Sequence, residues 1–471
     1  MGSWCAENLY DVQAWRDHGL EMTASSNEAA KLFDGVLRQL VSWIDCEQLG
    51  GIEKTSNNML AAEPDFLMGK VLTLGMHAIG TGHSVHKDKE YEQKLADMLE
   101  QSRKCTSRER KHALAVNYFA QGEMQSACIE WEKILAEHPN DLLAVKFAHD
   151  GYFFLGDCYG KRDSVERVIH KWKPEMPCYS YLHGMLAFGL EESGQYDSAR
   201  KHAETALEMN RQDCWATHAI AHCNEMEGKY KEGLNFMEST VGDWSPCWML
   251  ACHNFWHTAL YYIEQADYES ALSIYDREIC DRSKATGMML DMVDAASLLL
   301  RLEMEGVNLG HERWKALKCV VEPHIDDHTL TFNDAHIAMV LSRLEDDSED
   351  LVDKHASSIN NFVKAQYRGD NAHITRDLGE AICEAIVDHK NRRFEAAFDK
   401  MYPIWSQVYR IGGSHAQRDV FTQVLIHSGL NSPNYVHKQR AIDIIEERRK
   451  MKPNSPLIDR LLEKHKKTEH H

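Results

Sequence analysis

Residues 213–275 read DCWATHAIAHCNEMEGKYKEGLNFMESTVGDWSPCWMLACHNFWHTALYYIEQADYESALSIY. This stretch holds two copies of one pattern, Gly228-Lys229-Tyr230…Gly233 and Ala266-Asp267-Tyr268…Ala271…Tyr275. Upstream the pattern recurs as Gly122-Glu123-Met124…Ala127…Trp131 and Gly194-Gln195-Tyr196…Ala199. Gly122, Gly156, Gly194 and Gly228 stand 34, 38 and 34 residues apart, and Ala266 takes the glycine's place after a further 38. A period of this size is that of stacked helical hairpins. Two antiparallel helices need a small residue where they cross and a glycine where the chain turns between them. Pro139, in HPND, stands where one copy ends and the next begins. Strand signals are close to absent, so the pattern predicts an all-α chain, an α-α superhelix of helical hairpins.

Working outward, the chain divides by pattern into three parts. Residues 1–105 form an N-terminal helical cap, with a helix started by Ser25-Ser26-Asn27-Glu28. Ser25 and Glu28 have capping-box spacing, and Leu32, Phe33, Val36, Leu40, Val41 and Ile44 follow at helical period. Residues 106–310 hold the clear repeats. Over 311–471 the repeats diverge, with helices expected over Leu330–Leu344, Asp377–His389, Phe421–Gly429 and His437–Met451.

Composition excludes several partner classes. The 53 basic and 73 acidic residues leave a net charge of −20, which repels nucleic-acid phosphates and anionic lipid. The opening MGSWCAENLYDVQAW lacks the basic flank and apolar core of a secretory signal. No apolar run reaches membrane-span length. Thirteen scattered cysteines without a C-x-x-C pair suit a reducing compartment. A cytoplasmic protein is expected, with neither nucleic acid nor membrane as partner.

The 34-residue copy at 108–141 resembles the tetratricopeptide repeat. More closely, the strings LAVKFAHDGYFFLGD, MLACHNFWHTALYYIE, LTFNDAHIAMVL, GGSHAQRDVFTQVLIH and KPNSPL resemble the tetratricopeptide repeat protein 38 family. The resemblance covers nearly the whole chain. It implies a tetratricopeptide-repeat-like solenoid and a cytoplasmic setting.

The same central stretch concentrates ligand-type side chains. His218, His222 and Glu225 recur at spacings of four and three, so they leave one helix within a narrow sector. With Cys214 as the first repeat position they fall at positions 5, 9 and 12, which in tetratricopeptide arrays line the concave face. His253, Asn254, Trp256 and His257 follow in the next repeat, and Asp150 and Tyr181 come from the preceding two. Taken singly, each histidine reads better as a helix-packing or groove-edge residue, and the clustering at groove positions weighs against that reading. One reading is a binding protein that holds a peptide or small polar ligand in a His/acid-lined groove. His253, Asn254, Trp256, Asp150, Tyr181, His415 and Arg418 are then its ligand-binding residues. The alternative is an enzyme, a metal-assisted or His/carboxylate hydrolase acting on a small polar substrate in the same groove. Its catalytic candidates are His218, His222, Glu225, His257, Asp334 and His336. Two histidines at i, i+4 can chelate one divalent metal such as zinc from a single helix. His218, His222 and His253 are the metal-ligand candidates. The pattern is not that of a zincin, because Ala219 stands where the glutamate would be.

Overall fold

A computed structural model describes residues 2–247, 250–344, 348–365 and 367–469. The described residues form helix after helix with no strand among them, as the repeat period predicts. The chain divides into two compact units. The first comprises Met1–Ala219, Gly242–Ala251 and Arg368–Asp370; the second comprises Ile220–Val241, Cys252–Tyr367 and Asn371–His471.

In the first unit the helix Asn27–Ser42 is capped by Ser26, whose hydroxyl accepts from the Ala29 amide at 3.1 Å. Ser25, the expected cap, instead gives its amide and hydroxyl to the Glu63 carboxylate. The helix therefore starts one residue later than its spacing predicts. Three hairpins follow: Ser107–Ala120 with Met124–Glu137, Leu142–Leu155 with Cys158–Ile169, and Tyr179–Glu192 with Tyr196–Met209. Thr106 and Glu109 make a reciprocal capping box at the first of these. The turns close alike: the amides of Glu123 and Gln195 reach back to the carbonyls of Tyr118 and Leu190, both at 2.8 Å. This Schellman closure puts the residue before each amide, Gly122 or Gly194, in the left-handed region.

The second unit repeats the device at Gly228 and at Ala266, which holds φ at +62° despite its Cβ. The Asp267 amide still reaches the Tyr262 carbonyl at 2.9 Å, so the closure wins over the local strain. The helix that follows contains a π turn at Tyr275–Ile279 between Tyr268–Ile274 and Cys280–Thr286. Such a turn inserts one residue into the helical register, and the repeat here is correspondingly longer and looser. Beyond it stand Met289–Met304, His311–Val321, Thr331–Leu341, Ser348–Lys364, Glu380–Lys390, Phe394–Met401, His415–Asn431, Tyr435–Met451 and Pro456–Glu469. The helix expected over Phe421–Gly429 thus begins earlier, at His415, because Ser414 and Gln417 cap it reciprocally. Among the described residues no helix is long and apolar enough to cross a membrane.

Gly233 shows why the repeat needs a small residue. A Cβ there would run into the ring of Tyr261, whose hydroxyl donates to the Ala221 carbonyl at 2.6 Å. Gly233→Ala is therefore expected to destabilise the chain by about 1–3 kcal/mol through overpacking. The gain in helix propensity, about 1 kcal/mol, offsets only part of this. The urea midpoint checks it, and an unchanged midpoint would show that the tyrosine moves aside without cost.

Candidate functional site

The helix Cys214–Met226 supplies His222 and Glu225 to the second unit, and the helix Leu250–Glu264 supplies His253, Trp256 and His257. Their spacings of three and four put each set on one face of its helix. The two faces meet: the ring of His257 lies 4.4 Å from that of His222 and 4.7 Å from that of His253, centroid to centroid. One ligating nitrogen from each of the three rings lies within 4.8 Å of the other two. All three residues are buried, at 0 to 4% exposure.

Carboxylates stand behind two of the rings. His253 Nδ1 meets Asp294 Oδ2 at 2.7 Å, and His257 Nδ1 meets Glu225 Oε2 at 3.2 Å. A carboxylate on Nδ1 fixes the proton there and presents the lone pair at Nε2. Lys452 Nζ donates to the other Glu225 oxygen at 3.1 Å. Burial alone would raise the Glu225 pKa, but Lys452 and the His257 hydrogen bond outweigh it and hold the carboxyl well below its usual range. Burial, reinforced by His222, pushes His257 down to about 3, so its ring is neutral at ordinary pH. Trp256 lies flat against His253, with ring centroids 5.1 Å apart and planes at 13°, and donates from Nε1 to Ser297 Oγ at 3.0 Å. Gln417 Nε2 donates to the second Asp294 oxygen at 3.3 Å.

The other sequence candidates fall in several places. His218 is one turn before His222 on the same helix; it belongs to the first unit, where its ring packs 4.8 Å from that of Phe188. Asn254 is wholly buried, and neither polar atom of its carboxamide meets a hydrogen-bond partner among the described residues. Asp150 and Tyr181 are interior residues of the first unit. Asp150 accepts from the buried Lys146 at 2.7 Å, and Tyr181 stacks on Trp4 and accepts from Asn210 at 3.0 Å. Neither lines an open wall, because position along a repeat does not reveal that Trp4, Trp43 and Trp215 cover that wall in this chain.

Asp334 and His336 do not act together. Two residues apart on a helix they point about 200° apart. His336 packs on Phe332 and Phe421 and donates from Nδ1 to the Phe332 carbonyl at 2.8 Å. Burial pushes it down to about 3. Asp334 turns the other way, to His328 and His355. His415 is exposed, whereas Arg418 is spent on the carbonyls of Gly412 and Gly413, so the glycine turn closes on its own arginine.

Sequence reasoning overlooked Asp294, Lys452 and Gln417. A signal existed for the first: Asp291 and Asp294 interrupt an otherwise apolar helical run, MLDMVDAASLLL, and a buried acid needs a partner. Lys452 is 227 residues from Glu225, and nothing local marks it.

No family model matches this chain. Among solved structures, it is similar to a Rap protein complexed with competence and sporulation factor, at 15% identity over 77% of this chain and 99% of that one, with a TM-score of 0.42. It is also similar to a human IFIT1 dimer with m7Gppp-AAAA, at 13% identity over 99% and 98% of the two chains, with a TM-score of 0.34. Yeast Tom70 matches at 11% identity over 76% and 87%, with a TM-score of 0.23.

Proposed function

We propose that this chain is a metal-binding helical-repeat protein of the tetratricopeptide repeat protein 38 family, holding one zinc-like ion between His222, His253 and His257. The observation that carries the reading is the convergence of three buried imidazoles, two of them backed by carboxylates. That arrangement is how proteins orient histidine ligands and raise their basicity. Asp294 contributes one negative charge behind the rings, while that of Glu225 is shared with Lys452. Tetrahedral coordination at roughly 2.0–2.1 Å needs ligand nitrogens roughly 3.3 Å apart, so small ring adjustments complete the site.

Free thiols at all thirteen cysteines support a reducing, cytoplasmic setting.

Metal content tests this. The purified full chain, dialysed against zinc, should lose one equivalent on His222→Ala or His253→Ala, with helical circular dichroism retained. Asp294→Asn should weaken zinc by about 10–100-fold. Equal metal content in the parent protein and both histidine variants would overturn the reading.

A further inference from the structure

We propose a second metal site in the second unit, where His328, Asp334 and His355 form a two-histidine, one-carboxylate set for a divalent first-row transition ion. The residues come from the turn before the helix Thr331–Leu341, from its first turn, and from the middle of the helix Ser348–Lys364. None exceeds 4% exposure, and their ligating atoms all lie within 4.8 Å of one another.

The distances are those of ligands more than of a closed hydrogen-bond network. Asp334 Oδ1 is 3.1 Å from His328 Nδ1 and 3.7 Å from His355 Nε2. The second separation is too long for a hydrogen bond. It exceeds the edge of a coordination polyhedron, roughly 3.0–3.4 Å for bonds of 2.1 Å, by a few tenths of an ångström, so ligation would draw the two groups slightly together. Two buried atoms of the set, Asp334 Oδ2 and His355 Nε2, have no hydrogen-bond partner among the described residues. Buried polar atoms are seldom left so, and each costs about 1–3 kcal/mol unless something fills the place. A cation that His355 Nε2 ligates and that Asp334 holds through both carboxylate oxygens would fill both at once.

The surroundings supply orientation and access. His328 Nε2 is held by Ser358 Oγ at 2.8 Å, and its ring rests on Phe362 at 5.2 Å. With Nε2–H donated to the serine, metal binding at Nδ1 displaces only the proton shared with Asp334, which leaves to solvent. His355 also borders a cleft of about 450 Å³ whose wall includes Glu380, Glu384 and Asp388. Lys400 pairs with the latter two at 2.8 and 2.7 Å, and Arg393 with Asp388 at 2.6 Å, so three carboxylates face two cations and the cleft keeps one net negative charge. Two histidines and one carboxylate leave coordination positions open. This site has a cleft at its edge large enough for a small molecule, so an added ligand can reach the ion.

Cobalt(II) titration of the metal-stripped full chain, followed by its visible absorption, tests the proposal. The His222→Ala protein, lacking the first site, should still take up one equivalent. That equivalent should be lost in His222→Ala/His355→Ala and fall at least tenfold in affinity in His222→Ala/Asp334→Asn. The asparagine preserves shape, so a loss there with an unchanged thermal midpoint reports ligation, not misfolding. Added azide should shift the cobalt spectrum if the open positions face the cleft. No uptake by His222→Ala, or uptake indifferent to both second substitutions, overturns the site; an azide-silent spectrum overturns the open coordination. If the first site is absent and this one present, the parent protein binds one equivalent that His355→Ala alone removes.

Discussion

Replacing Asp141 by alanine is expected to destabilise the first unit by about 3–5 kcal/mol, the usual cost of breaking a buried ion pair by removing one partner. Asp141 is 2% exposed and serves three donors. Arg108 Nη1 lies at 2.7 Å, His112 Nε2 at 3.0 Å and the Ala144 amide at 3.0 Å. The last bond caps the helix Leu142–Leu155, and Arg108 also ties down the carbonyls of Leu20 and Glu21. One carboxylate therefore joins the N-terminal leader to two repeats. Asp141→Asn keeps the cap but loses the charge, and should fall between parent and alanine.

The pH dependence has a definite sign. Burial alone would raise the Asp141 pKa, but His112 and Arg108 outweigh it and hold the carboxyl far below its usual range. A group depressed on folding stabilises the native state above its unfolded pKa, about 3.9 for aspartate. That contribution is lost as pH falls through the folded value. The difference between parent and Asp141→Ala should thus stay constant from pH 7 to about pH 5 and narrow only in strong acid. Urea unfolding at several pH values measures it. A difference under about 1 kcal/mol, or one that shrinks between pH 7 and 5, would show that the pair is not stabilising.

Trp256→Ala should cost the second unit about 3–5 kcal/mol and, on the proposed function, abolish zinc binding at the His222 nest as well. The indole is fully buried between His253 and the guanidinium of Arg301, 5.1 Å from its ring, and is pinned by Ser297. Without it His253 loses the surface that sets its ring plane, and Arg301 keeps a buried charge without its aromatic cover. Trp256→Phe keeps a ring there and loses the hydrogen bond, so about 1–2 kcal/mol is expected. Denaturation midpoints and zinc content of both variants decide the matter. A stable Trp256→Ala protein with full metal would show that the indole is filler.

The architecture was legible because its cause is local. A glycine or alanine at the turn, a small residue five positions on, and a period of 34 to 38 each express a contact within one hairpin or with the hairpin next to it. Gly228 with Gly233 and Ala266 with Ala271 mark a turn and the close packing beside it, between neighbouring helices in chain order. The paired histidines were legible for the same reason, since helical spacing fixes which side chains share a face. The cap falls at Ser26, one residue past the expected Ser25, because Glu63, just beyond the end of the helix Ile52–Ala62, engages Ser25.

What surrounds each face was decided only by tertiary structure. The sequence placed His222 on one helix and His253 and His257 on another; only packing of the two brought the rings within reach. It also decided that Asp294 and Lys452, from far along the chain, stand behind the site. The same packing separated Asp334 from His336 and joined it instead to His328 and His355. The physical reason is range: backbone hydrogen bonds and helical periodicity act over a few residues and can be read from the order of side chains. Burial and charge pairing act through space, between residues whose separation along the chain carries no record of their meeting.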